Sequence, residues 1–134
     1  MTHARKQAVQ APKAPKPIGP YSVGIRAGCF VFASGMAGLD PSSGELVSGG
    51  IGPQTRRTLE NLAAIFEAAG TSMANVVKTT VFLQDMADFP AMNAVYAEHF
   101  PGDPPARSTV QVAALPKSAL VEIEAIALAA ESGD

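Results

Sequence analysis

Two short runs near the C-terminus hold residue types that could do chemistry. The first, Arg107 to Ala113, alternates so that Val110 and Val112 share one face and Arg107, Thr109 and Gln111 the other. In the second, Ala119 to Leu128, the residues Val121, Ile123 and Ala125 share a face, leaving Glu122 and Glu124 opposite. If both apolar faces look into one core, Arg107 emerges on the same side of the sheet as the two glutamates. A guanidinium can take a carboxylate in a two-pronged grip, and a neighbouring carboxylate can accept and return a proton. Together they suit a small carboxylic acid being altered beside its acid group. The same charges could instead close on each other as a salt bridge.

The elements that must carry these runs are readable from pattern. Tyr21 to Gly35 predicts two strands joined at Ala27-Gly28, with Phe30, Phe32 and Ser34 on one face and Val31 and Ala33 on the other. A turn-rich loop at 40–44 and the glycines 49, 50 and 52 follow. Pro53 to Ala69 predicts a helix closed by Gly70, with Leu59, Leu62 and Phe66 at helical spacing. Val76 to Leu83 is a β-branched strand. A second helix begins near Pro90, with Asp88 as its cap, and turns Met92, Val95, Tyr96 and Phe100 inward. The expected architecture is α+β: a mixed β-sheet with both helices packed on one face. Two helices leave the other face bare, so self-association over it is expected.

Residues 1–17 contain Arg5, Lys6, Lys13 and Lys16, several prolines and no acidic residue, and read as a flexible basic extension; 18–134 read as one domain. A formal net charge of -2 argues against nucleic acid as the default partner. No apolar run is long enough for a membrane span, and the N-terminal stretch has no apolar h-region, so a secretory leader is not expected. Cys29 is the only cysteine, which excludes an intrachain disulfide and suits a reducing, cytoplasmic setting; it is expected as a small core hydrophobe. His3 and His99 have no second metal ligand at a recognisable spacing, and no phosphate-binding glycine loop or nucleophile elbow occurs. The chemistry is therefore expected to need no cofactor and no metal. Lys78 and Lys117 are expected on solvated edges rather than as covalent amines.

Eight blocks in one order carry a resemblance: IGPYS (18–22), FVFASG (30–35), GG-I-x-x-QTR (49–56), LENL (59–62), VVKTTVFLQDMADF (76–89), N-x-V-Y-x-x-x-F (93–100), PPARSTVQVAALP (104–116) and VEIEAIA (121–127). In these the chain resembles the RidA/YjgF/UK114 family. The resemblance implies a chorismate-mutase-like fold and a homotrimer with sites in the clefts between subunits. It also implies a cofactor-free deaminase that hydrolyses reactive 2-imino acids, such as 2-iminopropanoate and 2-iminobutanoate, to 2-oxo acids and ammonia. Arg107, within PPARS, falls on the family's carboxylate-binding arginine. Glu122, within VEIEAIA, falls on the glutamate associated with the catalytic water. Tyr21, Ser34, Gly35 and Asn93 fall on cleft-lining positions.

Two departures stand out. Met36 follows Ser34-Gly35 where many members have glutamine, and Thr109 replaces a cysteine found in some. A thiol-dependent reactivity is therefore not expected here. The rival readings are an RNA-directed role, as endoribonuclease or translation inhibitor, and a non-catalytic metabolite-binding or chaperone-like role. The acidic balance and the lack of aromatics interleaved with basic residues speak against the first.

Overall fold

A computed structural model describes residues 5–130. The strands are β1 (Lys6–Ala8), β2 (Gly24–Ala27), β3 (Phe30–Ala37), β4 (Val76–Leu83), β5 (Ala106–Gln111) and β6 (Val121–Leu128). They form one sheet in the order β1-β2-β3-β6-β4-β5, in which β4 and β5 run parallel and every other pair antiparallel. Two helices, α1 (Ile51–Ala68) and α2 (Phe89–His99), complete the mixed α+β architecture expected from the pattern.

The core lies between α1 and the sheet. Leu59, Leu62, Ile65 and Phe66 of α1 are fully buried, as are Val31, Val81, Val121 and Ile123 of the strands. Each such side chain contributes about 1.5–3 kcal/mol by leaving water, so this layer decides where the helix docks. The helix starts at Ile51, before Pro53, because Gly50 turns the chain with φ of 87° and the first four helical N–H groups need no intrahelical acceptor. At α2, Asp88 occupies the cap position without a side-chain bond; Asp85 instead caps the preceding 3₁₀ turn by accepting from the Ala87 N–H at 2.9 Å. Gly28, with φ of 58°, makes the expected hairpin turn between β2 and β3.

Three expectations need correction. The stretch read as a flexible extension is, from Lys6, part of the fold: β1 pairs with β2, and Ala14 is buried in the core. The chain turns at Pro12-Lys13, where the Ala14 N–H donates to the Ala11 carbonyl at 3.0 Å, and Val9, Ala11 and Ala14 pack against the core. Residues 1–4 of that stretch, and 131–134 of the expected domain, lie outside the described residues. Cys29 is exposed at the hairpin tip rather than in the core.

The third correction concerns β5. Arg107 stands in register with Thr79 of β4, which is buried under the helices, so Arg107 and Thr109 face the helix layer. Val110 instead points outward and is 43% exposed. Arg107 is thus on the opposite face from Glu122 and Glu124. The apolar alternation misled because an arginine stem and guanidinium can lie against aromatic rings, satisfying an inward position that valine was expected to fill.

The bare face carries Phe30, Phe32, Val110 and Leu128, all exposed large apolar side chains. No helix of the described residues is long and apolar enough to cross a membrane.

Candidate active site

Glu122 sits at the end of β6 nearest a strand irregularity, and that irregularity shapes a cleft. The pairing of β3 with β6 shifts register between Ala33 and Met36, so Ser34 and Gly35 bulge. Asn61 of α1 fixes the chain just beyond, donating to the carbonyls of Ala37 at 3.1 Å and Leu39 at 2.9 Å. The bulge and the segment before β2 enclose a cleft of about 270 Å³ lined by Tyr21, Ser34, Gly35, Met36, Lys117 and Glu122, among others.

Gly35 is required here by space. A Cβ on it would stand 2.5 Å from Glu122 Oε2 and 2.8 Å from Cδ. The absence of a side chain is what lets the carboxyl lie across the strand. Ser34 Oγ donates to the Ser22 carbonyl at 2.6 Å, tying the cleft floor to its wall. Tyr21 is held in turn: the Ile18 N–H donates to its Oη at 3.2 Å. Met36 is buried, so this departure adds apolar surface where a polar contact was expected to be missing.

The cleft changes the glutamate's proton affinity. Burial raises the Glu122 pKa above the usual glutamate range, and the like charge of Glu124 on the same face pushes it further the same way. No lysine or arginine makes a salt bridge to it among the described residues. Lys117, expected on a solvated edge, lines the cleft. Its backbone is left-handed at φ of 59°, and its Nζ donates to the Gly44 carbonyl at 2.8 Å.

On the other face is a second set of polar groups. Arg107 stacks on two rings of α2, its guanidinium carbon 4.7 Å from the Tyr96 centroid and 5.5 Å from that of Phe89. Asn93 lies between those rings in sequence, so all three share one helical face at i, i+4 and i+7. Asn93 Oδ1 and Thr109 Oγ1 are both buried without a hydrogen-bond partner. Thr55 and Thr58 of α1 are unpartnered in the same way, but only Asn93 and Thr109 share a helix face and a strand face with an arginine in no salt bridge, where something polar can belong.

The structure therefore brings Tyr21, Ser34, Gly35 and Glu122 together and leaves Arg107 and Asn93 apart from them. Arg107 is in register with Thr79, and Thr79 with Ala125, three residues along β6 from Glu122. The two residues are thus roughly 10 Å apart across the sheet, about 10 Å along it, and on opposite sides. This excludes the internal salt bridge. Tyr96 and Phe89 escaped the sequence reading because an inward aromatic looks the same whether it fills a core or holds a cation. The available signal was the i, i+4, i+7 spacing of Phe89, Asn93 and Tyr96.

A small α+β domain with a carboxylate cleft on one sheet face and an arginine patch on the other has known counterparts. The family model described as Endoribonuclease L-PSP matches residues 11–129. A RutC family protein of Pyrococcus horikoshii is 55% identical over 122 residues, covering 91% of this chain and 97% of its own. The 2-iminobutanoate/2-iminopropanoate deaminase of Mus musculus is 48% identical over 128 residues, covering 96% of this chain and 95% of its own. Among solved structures, E. coli TdcF with bound serine superposes with a TM-score of 0.87 at 41% identity, covering 92% of this chain and 99% of that one. The chain belongs to the RidA/YjgF/UK114 family.

Proposed function

We propose that this protein is a cofactor-free imine deaminase that hydrolyses small 2-imino acids, such as 2-iminopropanoate and 2-iminobutanoate, to 2-oxo acids and ammonia. It does so as a cytoplasmic homotrimer of chorismate-mutase-like fold, with each site shared between two copies. The observation that carries the reading is the separation of two complementary charges on one chain. Glu122 lies in a cleft whose two lysines, Lys16 and Lys117, make no salt bridge to it, and Arg107 lies on the other face, likewise in no salt bridge among the described residues. A substrate a few ångströms long cannot touch both within one copy. In this reading the bare apolar face of one chain packs against the β5 edge of the next, so that a neighbour's Arg107 and Asn93, at that edge, reach the Glu122 cleft. The deaminase activity of the murine relative supports the chemistry.

In this reading Arg107 takes the substrate carboxylate and fixes the imine carbon over the cleft floor. Glu122 accepts a proton from water as the oxygen bonds to that carbon. It then returns that proton to nitrogen, giving an amino alcohol, and in a second transfer carries the hydroxyl proton to the same nitrogen, so that the C–N bond breaks, ammonia leaves and the C–O bond becomes the carbonyl. A glutamate whose pKa burial and Glu124 raise above the ordinary glutamate range suits both halves of that transfer. Met36 and Ala37 give the cleft an apolar wall fitted to a short aliphatic side chain.

The test couples an imine-generating amino acid oxidase to the protein and follows loss of the imine. Arg107→Ala and Glu122→Gln are each expected to lower kcat/KM by about 10²–10³-fold, the range for a lost charged contact and a lost general base. Full activity in either variant would remove that residue from the site. The RNA-directed alternative is separated by the basic N-terminal segment. Neutralising Lys6 and Lys13 together, and leaving Lys16 because it lines the cleft, should lower an RNA activity that depends on the segment and leave imine hydrolysis in place.

A further inference from the structure

We propose that Tyr96, with Phe89, is a positioning residue for the substrate-binding arginine: the two ring faces hold the Arg107 guanidinium without a counter-ion, so that donors remain for the ligand. This rests on the reading of Arg107 as the carboxylate grip and adds how that grip is kept open.

The problem it answers is physical. An arginine on a half-buried edge strand must be fixed in one rotamer to bind a small anion well, or each binding event costs the ordering of a long side chain. The usual fixture is a carboxylate, but a carboxylate would occupy the N–H groups that the substrate needs. Among the described residues the two salt bridges are Arg56 with Glu98 and Arg57 with Glu60, and neither involves Arg107. What touches the guanidinium is aromatic: Tyr96 at 4.7 Å and Phe89 at 5.5 Å to the ring centroids. A ring attracts a cation through its π face and makes no claim on the five in-plane donors.

The rings are themselves fixed. Tyr96 is buried, its hydroxyl shares a 2.7 Å hydrogen bond with Thr79 Oγ1, and its ring packs on Phe100 with centroids 4.7 Å apart. Thr79 is the β4 residue in register with Arg107, so one strand position locks the ring that locks the arginine beside it. The unpartnered Asn93 Oδ1 and Thr109 Oγ1 lie on the same helix face and strand face as this stack. Arg107 comes within hydrogen-bonding influence of the Tyr96 hydroxyl, and its remaining donors lie on the face that carries these unpartnered polar atoms.

The experiment separates positioning from mere support of the fold. Tyr96→Leu removes the π face and is expected to raise KM for 2-iminopropanoate about five- to tenfold, with kcat little changed, the size of a lost cation–π contact. Tyr96→Phe keeps the face and loses the bond to Thr79, so it should recover most of that KM even though its Tm falls. Phe89→Leu, at a less buried position, should raise KM in the same sense and serves if Tyr96→Leu does not fold. In an Arg107→Ala background Tyr96→Leu should have no further effect on KM. The proposal is overturned if Tyr96→Phe is as impaired as Tyr96→Leu, or if the KM effect persists undiminished without Arg107. Wild-type activity in Arg107→Ala alone would instead overturn the assignment of the grip.

Discussion

The two faces of the sheet hold their charges in opposite ways. On the helix side, Arg107 is gripped through its flat surfaces by Tyr96 and Phe89, and its position is set by packing. On the bare side, Glu122 has space cleared for it by Gly35, with burial and Glu124 both working against its ionisation. One charge is restrained without being neutralised; the other is tolerated without being paired. A chain that needed only stability would close such charges on each other or drop them. Keeping both open on opposite faces costs stability locally and leaves a donor and an acceptor for groups outside the single chain.

The largest expected break in this arrangement comes from the bare apolar face that also carries Glu122. Phe32, 41% exposed on the bare sheet face, should tolerate Phe32→Asp within one chain but not against a second copy. Sedimentation is expected to show a folded monomer, and imine hydrolysis should fall to near the level without enzyme. A fully active monomer would separate catalysis from assembly.

A smaller effect sharpens the glutamate half alone. In Gly35→Ala the nearest atoms to the new Cβ are Oε2, Cδ and Cγ of the Glu122 side chain rather than backbone, so Tm should change little while the carboxyl is displaced. Misplacing a catalytic group by about 1 Å can cost up to 10²-fold, and kcat should drop toward that extent with the assembly intact. Unchanged kcat would mean that the carboxyl's placement across Gly35 is incidental.

The smallest effect is on pH dependence. Glu122 must be ionised to accept a proton from water, so kcat/KM falls as pH drops through its pKa. Because that pKa is raised, the acid limb should lie above the usual glutamate range. Glu124→Gln removes the neighbouring like charge, lowers the Glu122 pKa, and should move the limb to lower pH. A limb that stays in place would leave burial alone as the cause.

Much of this was legible in the sequence. The strand from Val76 to Leu83 falls where its β-branched run predicts, and the Ala27-Gly28 hairpin where glycine permits a positive φ. Glu122, Tyr21, Ser34 and Gly35 were named from the sequence and lie around one cleft. The face of Arg107 was not legible, because alternation reports only which residues avoid water, and a stacked guanidinium avoids it nearly as well as valine. Nor could the residues 6–16 be placed: short strands and alanines packed under prolines lack the periodicity that marks a buried element. The burial of Met36 follows from the shift at Ser34-Gly35, and a bulge has no strong signature in a strand that otherwise alternates.

The shared site is tested most directly by mixing two dead proteins. Arg107→Ala and Glu122→Gln chains, unfolded and reassembled together at equal amounts, combine at random around a ring. If each site takes its glutamate from one copy and its arginine from the next, about one site in four is then intact. The account predicts recovery to about a quarter of wild-type activity in the mixture, with none when either variant is refolded alone. A mixture as inactive as its components would show that both side chains act from the same chain, and would contradict it.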